Sequence, residues 1–413
     1  MQNLSKLPRS FKVLLVGESF SLFGSQISSV MIPLIVVVTL GAGEIALGLV
    51  SAISWLPVIL VGLIAGAIVD RYSRWHIMAF CNIIRAILIL LIPTLAITHN
   101  LTIIFLIVIS FLVGICNVFF DIAYQTYVPE LVSNDMLDRA NSNFELIRSV
   151  SQLIGPLLGG ILATFYNPEY LITIDAFTFL VAYIALLVLP IKFRIPASAN
   201  GELDKDKNVI SDLYEGLRLV WRTPAIRLVV ISGACINIFV AGVSALFVIF
   251  VTRTLDLGPS AYGLATAMAG VGALCGALSY RYWTRKLQEG ACVGVGLAWL
   301  ALGTFLTATA ALPGLAWICL LAGQFVIGYG NPVMNIALVT LRQKITPAKV
   351  LGRVNASARV AIMSSLPIGA LVVSSIAEAS STLIAICIAG IGELLVLLVL
   401  GPLLFRIRVN DKL

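Results

Sequence analysis

Gly114-Ile115-Cys116-Asn117-Val118-Phe119-Phe120-Asp121-Ile122-Ala123 returns later in the same chain as Gly328-Tyr329-Gly330-Asn331-Pro332-Val333-Met334-Asn335-Ile336-Ala337. The same register aligns Leu137-Asp138-Arg139-Ala140-Asn141 with Leu351-Gly352-Arg353-Val354-Asn355, and Gly155 with Gly369. Each pair is 214 residues apart (328−114, 355−141, 369−155). One register held across two apolar segments and the loop between them points to a duplicated membrane unit. A shorter match pairs Gly66-Ala67-Ile68-Val69-Asp70-Arg71-Tyr72 with Gly276-Ala277-Leu278-Ser279-Tyr280-Arg281-Tyr282, at a spacing of 210 (276−66).

Composition agrees. The chain is 60% hydrophobic and 11% charged, with a mean hydropathy of +1.03. A soluble domain is about 45–50% apolar and about 25% charged, so this chain has too few charges to cover a water-facing surface. Twelve apolar runs of membrane length fall near 13–39, 45–69, 76–97, 101–127, 143–166, 169–190, 226–252, 261–283, 291–311, 314–340, 355–377 and 381–405. They are too long for strands and do not alternate, so they read as helices. The fold class expected is all-α: a polytopic membrane protein of two pseudo-symmetric six-helix bundles. The bundles occupy 1–190 and 226–413, joined by a polar segment at 191–225. The linker-like Pro196–Lys207 stretch opens that segment. Leu213, Leu217 and Val220 then share one face, as in an amphipathic helix lying on a membrane surface.

Of the 27 Lys and Arg residues, only Arg253 lies in one set of alternate connections, and Arg85, Arg148 and Arg359 lie inside spans. All the others fall in the opposite set and at both termini. The positive-inside rule then places both termini and the middle segment in the cytoplasm. The same distribution accounts for the net charge of +7 without nucleic acid. The 7 cysteines are spread through apolar runs with no CxxC spacing, which argues against a disulfide frame or a metal site. The first apolar run is too long for a cleavable leader.

Duplicated membrane halves around a midplane site are a common plan of secondary transporters. No HExxH, GxSxG or GxxxxGK[ST] sequence is present, which excludes the corresponding hydrolytic and ATP-driven classes. No enzyme activity and no cofactor is expected.

Three stretches resemble one family. Gly66–Arg74 is similar to the signature loop of the major facilitator superfamily. Ser151-Gln152-Leu153-Ile154-Gly155-Pro156-Leu157-Leu158-Gly159-Gly160 is similar to the span-5 motif of its drug–proton antiporters. Glu215-Gly216-Leu217, Trp221-Arg222 and Pro224, with Phe120-Asp121 to Gln125 and Pro129, resemble its macrolide-efflux and enterobactin-exporter branch. The resemblance runs over about 12–405. Departures are Ser73 and Ser151, where glycine is usual, Trp75, where a basic residue is usual, and Asp121 in a span that often carries arginine. The resemblance implies a bacterial cytoplasmic-membrane carrier that works by alternating access and uses protons to export a drug, macrolide, siderophore or metabolite. A lysolipid flippase or an uptake carrier of the same fold is the alternative, and a channel the remote one. The expected partners are a small-molecule substrate, protons and the lipid bilayer, with no nucleic acid, and the chain is expected to be a monomer.

An ionisable side chain inside a span is costly, so each is a functional candidate. The first half holds Glu18, Arg85, Asp121, Glu145, Arg148 and Asp175; the second holds Arg359, Glu378 and Glu393. Glu18, with Ser21, Ser25 and Ser28 on the same face, is the expected proton carrier. Depth at about 1.5 Å per residue puts Asp121 and Arg148 at one level, as a coupling pair or a fixed ion pair between spans 4 and 5. Glu145 completes the acidic set. Asp175 reads as structural. Amides on one stripe need a polar partner: Asn117, Tyr124 and Gln125 in span 4, and Gln324, Asn331 and Asn335 in span 10, with Arg359, are candidate substrate contacts. Gly155, Pro156, Gly159 and Gly160 describe a kinked, closely packed helix, a candidate seal. Asp70, Arg71 and Arg74 are the candidate gate latch that the resemblance implies, with Asp70 suited to an adjoining helix N-terminus.

Overall fold

The computed structural model describes residues 7–133, 136–190, 209–347 and 350–407. The side chains of Leu63, Ala67, Asp70 and residues 209–215 lie outside that description, as does the Pro196–Lys207 stretch.

Twelve helices are long and apolar enough to cross a membrane among the described residues. They are α1 (Arg9–Thr39), α2 (Glu44–Arg71), α3 (Arg74–Ile97), α4 (Ile103–Leu131), α5 (Leu137–Phe165) and α6 (Pro168–Val188), then α8 (Pro224–Thr254), α9 (Pro259–Thr284), α10 (Glu289–Thr309), α11 (Ala316–Ile345), α12 (Leu351–Ala379) and α13 (Thr382–Phe405). The shorter α7 (Val209–Arg222) precedes α8. Long apolar runs become helices because lipid leaves every backbone N–H and C=O to be satisfied within the segment. Several helices start and end a turn beyond the apolar runs, because their last turns carry the polar residues that meet the membrane surface. α12 pauses at Ser364, between helical stretches Leu351–Met363 and Ser365–Ala379. Pro367 follows, and its ring opposes the carbonyl of Met363 four residues back, which breaks the ladder there.

The duplication extends into the backbone. α1 ends in a π-helical turn at Ile35–Thr39 and α8 in another at Phe250–Thr254, 215 residues on (250−35). Leu40 and Ala42 N–H bond back to Ile35 and Val36, just as Leu255 and Leu257 do to Phe250 and Val251. The left-handed residues also pair at this spacing: Gly41 with Asp256, and His99 with Gly314 (256−41, 314−99).

The chain divides into two compact units. Unit 1 comprises Met1–Ala42 and Leu56–Lys205, and unit 2 comprises Gly43–Trp55 and Asp206–Leu413. The first part of α2 therefore counts with unit 2, where Glu44 accepts a hydrogen bond from Thr382 Oγ1 at 3.0 Å. In unit 1, α1 packs on α5 and α6, and α3 on α4 and α6. In unit 2 the corresponding pairs recur: α8 on α12 and α13, and α10 on α11 and α13. Leu14, Met78, Phe120 and Tyr127 sit in the apolar core of unit 1, and Val229, Leu297, Leu341 and Leu404 in that of unit 2. Even an ion pair repeats, with its signs exchanged: Arg74 of α3 meets Glu130 of α4, and Glu289 of α10 meets Lys344 of α11. The repeat differs at α2. Gly272 and Gly276 of α9 lie against the Phe325 and Tyr329 backbone of α11, whereas Gly62 and Gly66 of α2 face open space. α7 packs along α12 through Gly216, which lies against Arg353 and Ser357.

Candidate functional site

The buried polar groups of unit 1 converge where α1, α3, α4 and α6 meet. On α1, Glu18 (4% exposed), Ser21 and Ser28 are buried on one face. Glycines let that face approach α6 closely. A Cβ on Gly17 would sit 2.6 Å from Ala185 Cβ, and one on Gly24 would overlap Thr178 and Asp175. This contact holds Asp175 (3% exposed) in the seam. Its Oδ1 accepts from Ser25 Oγ at 3.2 Å and from Thr178 Oγ1 at 3.4 Å.

Arg85 of α3 is the cation of this cluster, and it is 4% exposed. Its Nη1 donates to Asn117 Oδ1 of α4 at 3.0 Å, and its Nη2 donates to Asn82 Oδ1 one turn back on α3. The guanidinium lies between two rings, 4.2 Å from the Phe120 centroid and 4.3 Å from that of Phe179. Burying such a charge costs several kcal/mol. Two desolvated cation–π contacts, worth about 2 kcal/mol each, and two charge-assisted hydrogen bonds offset much of that cost. None of these contacts uses a carboxylate. Glu18 and Asp175 both lie within electrostatic reach of Arg85, and Glu18 also within reach of Asp121. Arg85 Nε, Asn82 Nδ2 and Tyr124 Oη are buried without a hydrogen-bond partner among the described residues. Buried polar groups are normally satisfied, so these orphans set the cluster apart from the apolar core around it.

The expected site residues distribute as follows. Glu18 and Asn117 belong to the cluster, and the Tyr124 ring packs 4.7 Å from Phe144 beside it. Asp121 and Gln125 are exposed on α4. Arg148 contacts Glu145 of its own helix at 3.6 Å, both exposed. Gly155, Pro156, Gly159 and Gly160 are buried, with Gly155 against Gln26 and Gly159 against Ile27 and Met31, so this motif docks α5 onto α1. Arg71 is exposed and Arg74 pairs with Glu130; the Asp70 side chain lies outside the described residues. In unit 2, Gln324 is buried, Asn335 Nδ2 donates to Asn331 Oδ1, and Arg359 is exposed. Glu393 (1% exposed) accepts from Thr304 Oγ1 at 2.8 Å, tying α13 to α10. The sequence signals the charge of Arg85 but not its clamp, since Asn117 and the two rings come from other helices.

The family model described as "Transmembrane secretion effector" (MFS_3) matches residues 5–412, nearly the whole chain. The chain belongs to the major facilitator superfamily. It is therefore a multi-pass membrane transporter, not an enzyme. Among superfamily members, it is 27% identical over 372 residues to the multidrug efflux pump Tap of Mycolicibacterium fortuitum, covering 86% of each chain. It is 21% identical over 369 residues to macrolide efflux protein A of Streptococcus pyogenes, covering 89% of each. Its fold is shared with the nucleoside transporter NupG (TM-score 0.77, 13% identity, 97% of this chain and 100% of that one). A bacterial homologue of the iron transporter ferroportin is similar in the same way (TM-score 0.75, 16% identity, 97% and 100%).

Proposed function

We propose that this transporter exports hydrophobic or amphipathic small molecules in exchange for protons, with Glu18 as the proton carrier. The observation that carries the reading is a carboxyl, 4% exposed, on a hydroxyl-bearing face of α1, near a cation that other groups hold. Such a carboxyl can exist charged or neutral as its surroundings change, because Arg85 offers compensation without being consumed by a fixed ion pair. The docking of the Gly155–Gly160 motif onto α1 supports the reading, since it puts α5 in direct contact with the helix that bears Glu18. Efflux is the activity named for the Tap and macrolide-efflux relatives, and it sets the cargo class proposed here. Asn117, Tyr124 and Gln125 in unit 1, and Gln324, Asn331, Asn335 and Arg359 in unit 2, are the proposed cargo contacts. The basic residues gathered in one set of loops support a cytoplasmic location for both termini in a bacterial membrane.

The test is transport in proteoliposomes with an imposed pH gradient, using ethidium, a macrolide and a lysophospholipid as probes. Gradient-driven movement of ethidium or the macrolide, absent from Glu18→Gln vesicles, is the expected result. Equal driven transport by Glu18→Gln overturns the proton assignment. Movement of lysophospholipid alone, indifferent to the gradient, makes the chain a flippase.

A further inference from the structure

Asp175 reads from the sequence as a structural residue, yet its surroundings do not supply what a permanently charged structural carboxylate needs. It is 3% exposed, and its hydrogen-bond partners are all neutral hydroxyls: Ser25 and Thr178 at 3.2 and 3.4 Å, and Ser28. Among the described residues no basic group lies in ion-pair contact with it. A buried carboxylate compensated so thinly is expensive as an anion.

The groups that face this seam can be followed helix by helix. From α1 come Glu18 and the hydroxyls of Ser21, Ser25 and Ser28. From α3 come Arg85, Asn82 and Cys81. From α4 come Cys116, Asn117 and Tyr124, while the exposed Asp121 lies within electrostatic reach of Glu18. From the first turn of α6 comes Glu169, which Thr39 Oγ1 engages at 2.6 Å. Arg85 is the one cation within reach of both Glu18 and Asp175 among the described residues. On α1, Glu18 and Ser25 are seven residues apart, about 10 Å along the axis, with Ser21 between them on the same face. Hydroxyls accept one proton while donating another. Ser28 Oγ, buried beside the Asp175 carboxyl, extends the line.

We propose that Asp175 is a second proton-accepting site, joined to Glu18 by the hydroxyl-lined seam between α1 and α6 and sharing Arg85 as counter-charge. A proton leaves the Glu18 carboxyl and arrives on the Asp175 carboxylate; one acid becomes an anion as the other becomes neutral. The charge of the cluster is unchanged, and Arg85 stays in its aromatic clamp throughout. Ser21 and Ser25 carry the transfer, and the close approach at Gly17 and Gly24 keeps the seam dry. The inference rests on Glu18 being the proton carrier, and it adds a route along α1 toward the turn that follows α5.

The experiment is infrared difference spectroscopy of the purified full chain in lipid nanodiscs, titrated over pH and read at the protonated-carboxyl C=O band. The wild type is expected to show titrating Glu18 and Asp175 carboxyls, in addition to any band from the buried Glu393. Asp175→Asn removes one of them, and Glu18→Gln displaces the titration of the other by about one pH unit or more, as for coupled sites. Ser25→Ala, which keeps both carboxyls, is expected to displace the Asp175 band and serves if Asp175→Asn does not fold. An unchanged spectrum in Asp175→Asn, an unmoved Asp175 titration in Glu18→Gln, or an unmoved band in Ser25→Ala each overturns the proposal. Vesicle transport separates the two readings. Loss of driven transport in Glu18→Gln with independent titrations leaves Glu18 as carrier and removes the second site. Normal driven transport in Glu18→Gln removes both.

Discussion

Replacing Gly24 by alanine tests whether the α1–α6 seam is held together by close backbone approach. A methyl group there overlaps Thr178 Oγ1 and comes 2.9 Å from Asp175 Oδ1 and 3.0 Å from Asp175 Cα. The Cα belongs to the backbone of α6 and cannot swing aside, so the two helices must separate. Overpacking of this kind costs about 1–3 kcal/mol. Separation also weakens the Ser25–Asp175 hydrogen bond, worth about 1.5–3 kcal/mol to a charged acceptor and less to a neutral one. Alanine recovers at most about 1 kcal/mol of helix propensity. The net expectation is destabilisation of about 2–4 kcal/mol. Gly62→Ala is the matched control: it has the same propensity gain, and nothing lies within 4 Å of the new methyl. The assay is fluorescence-detected thermal unfolding of both variants in one detergent. Gly24→Ala should unfold clearly below the wild type, and Gly62→Ala at or above it. Equal midpoints for the two variants would refute the argument that the seam depends on contact at Gly24.

Other perturbations follow from the same geometry. Asp256 stands at φ 51°, where its repeat partner is Gly41; Asp256→Gly should stabilise by roughly 0.5–1 kcal/mol and Asp256→Val destabilise, read as midpoints of thermal unfolding. Glu130→Lys should weaken the α3–α4 contact by up to about 1 kcal/mol, and adding Arg74→Glu should restore it, because unit 2 already uses the exchanged order; a double-mutant cycle measures the coupling. Arg85→Met leaves Asn82 Oδ1 and Asn117 Oδ1 without their donor and removes the counter-charge of Glu18. Proton-coupled transport should fall below detection while expression and monodispersity are retained, and wild-type coupling in that variant would show that the cluster does not need its cation.

The helices and their number were legible because lipid imposes long apolar runs, and the repeat was legible because Gly114–Ala123 kept enough identity to align with Gly328–Ala337. The π turns at Ile35–Thr39 and Phe250–Thr254 were not, since a one-residue widening of a helix leaves no mark on hydropathy. The paired left-handed turns were hidden for a related reason: Gly41 matches Asp256 and His99 matches Gly314, so glycine marks only one member of each pair. At the site, Glu18 and the α1 hydroxyl face could be read from spacing alone. The clamp on Arg85 could not, because Phe120, Asn117 and Phe179 meet it from two other helices. Depth along the helices brought Asp121 level with Arg148, but depth does not single out local contacts such as that of Arg148 with Glu145 one turn back on its own helix. Gly17 and Gly24 carry no chemical signal in the sequence; their meaning appears only when α6 lies against them.

The most direct measurement is substrate-driven proton movement in proteoliposomes loaded with a pH-sensitive dye, with ethidium as the moving probe. Ethidium flowing down its own gradient should drive protons the opposite way in wild-type vesicles and drive none in Glu18→Gln vesicles that still exchange ethidium across the membrane. Proton movement of wild-type size through Glu18→Gln would contradict the account.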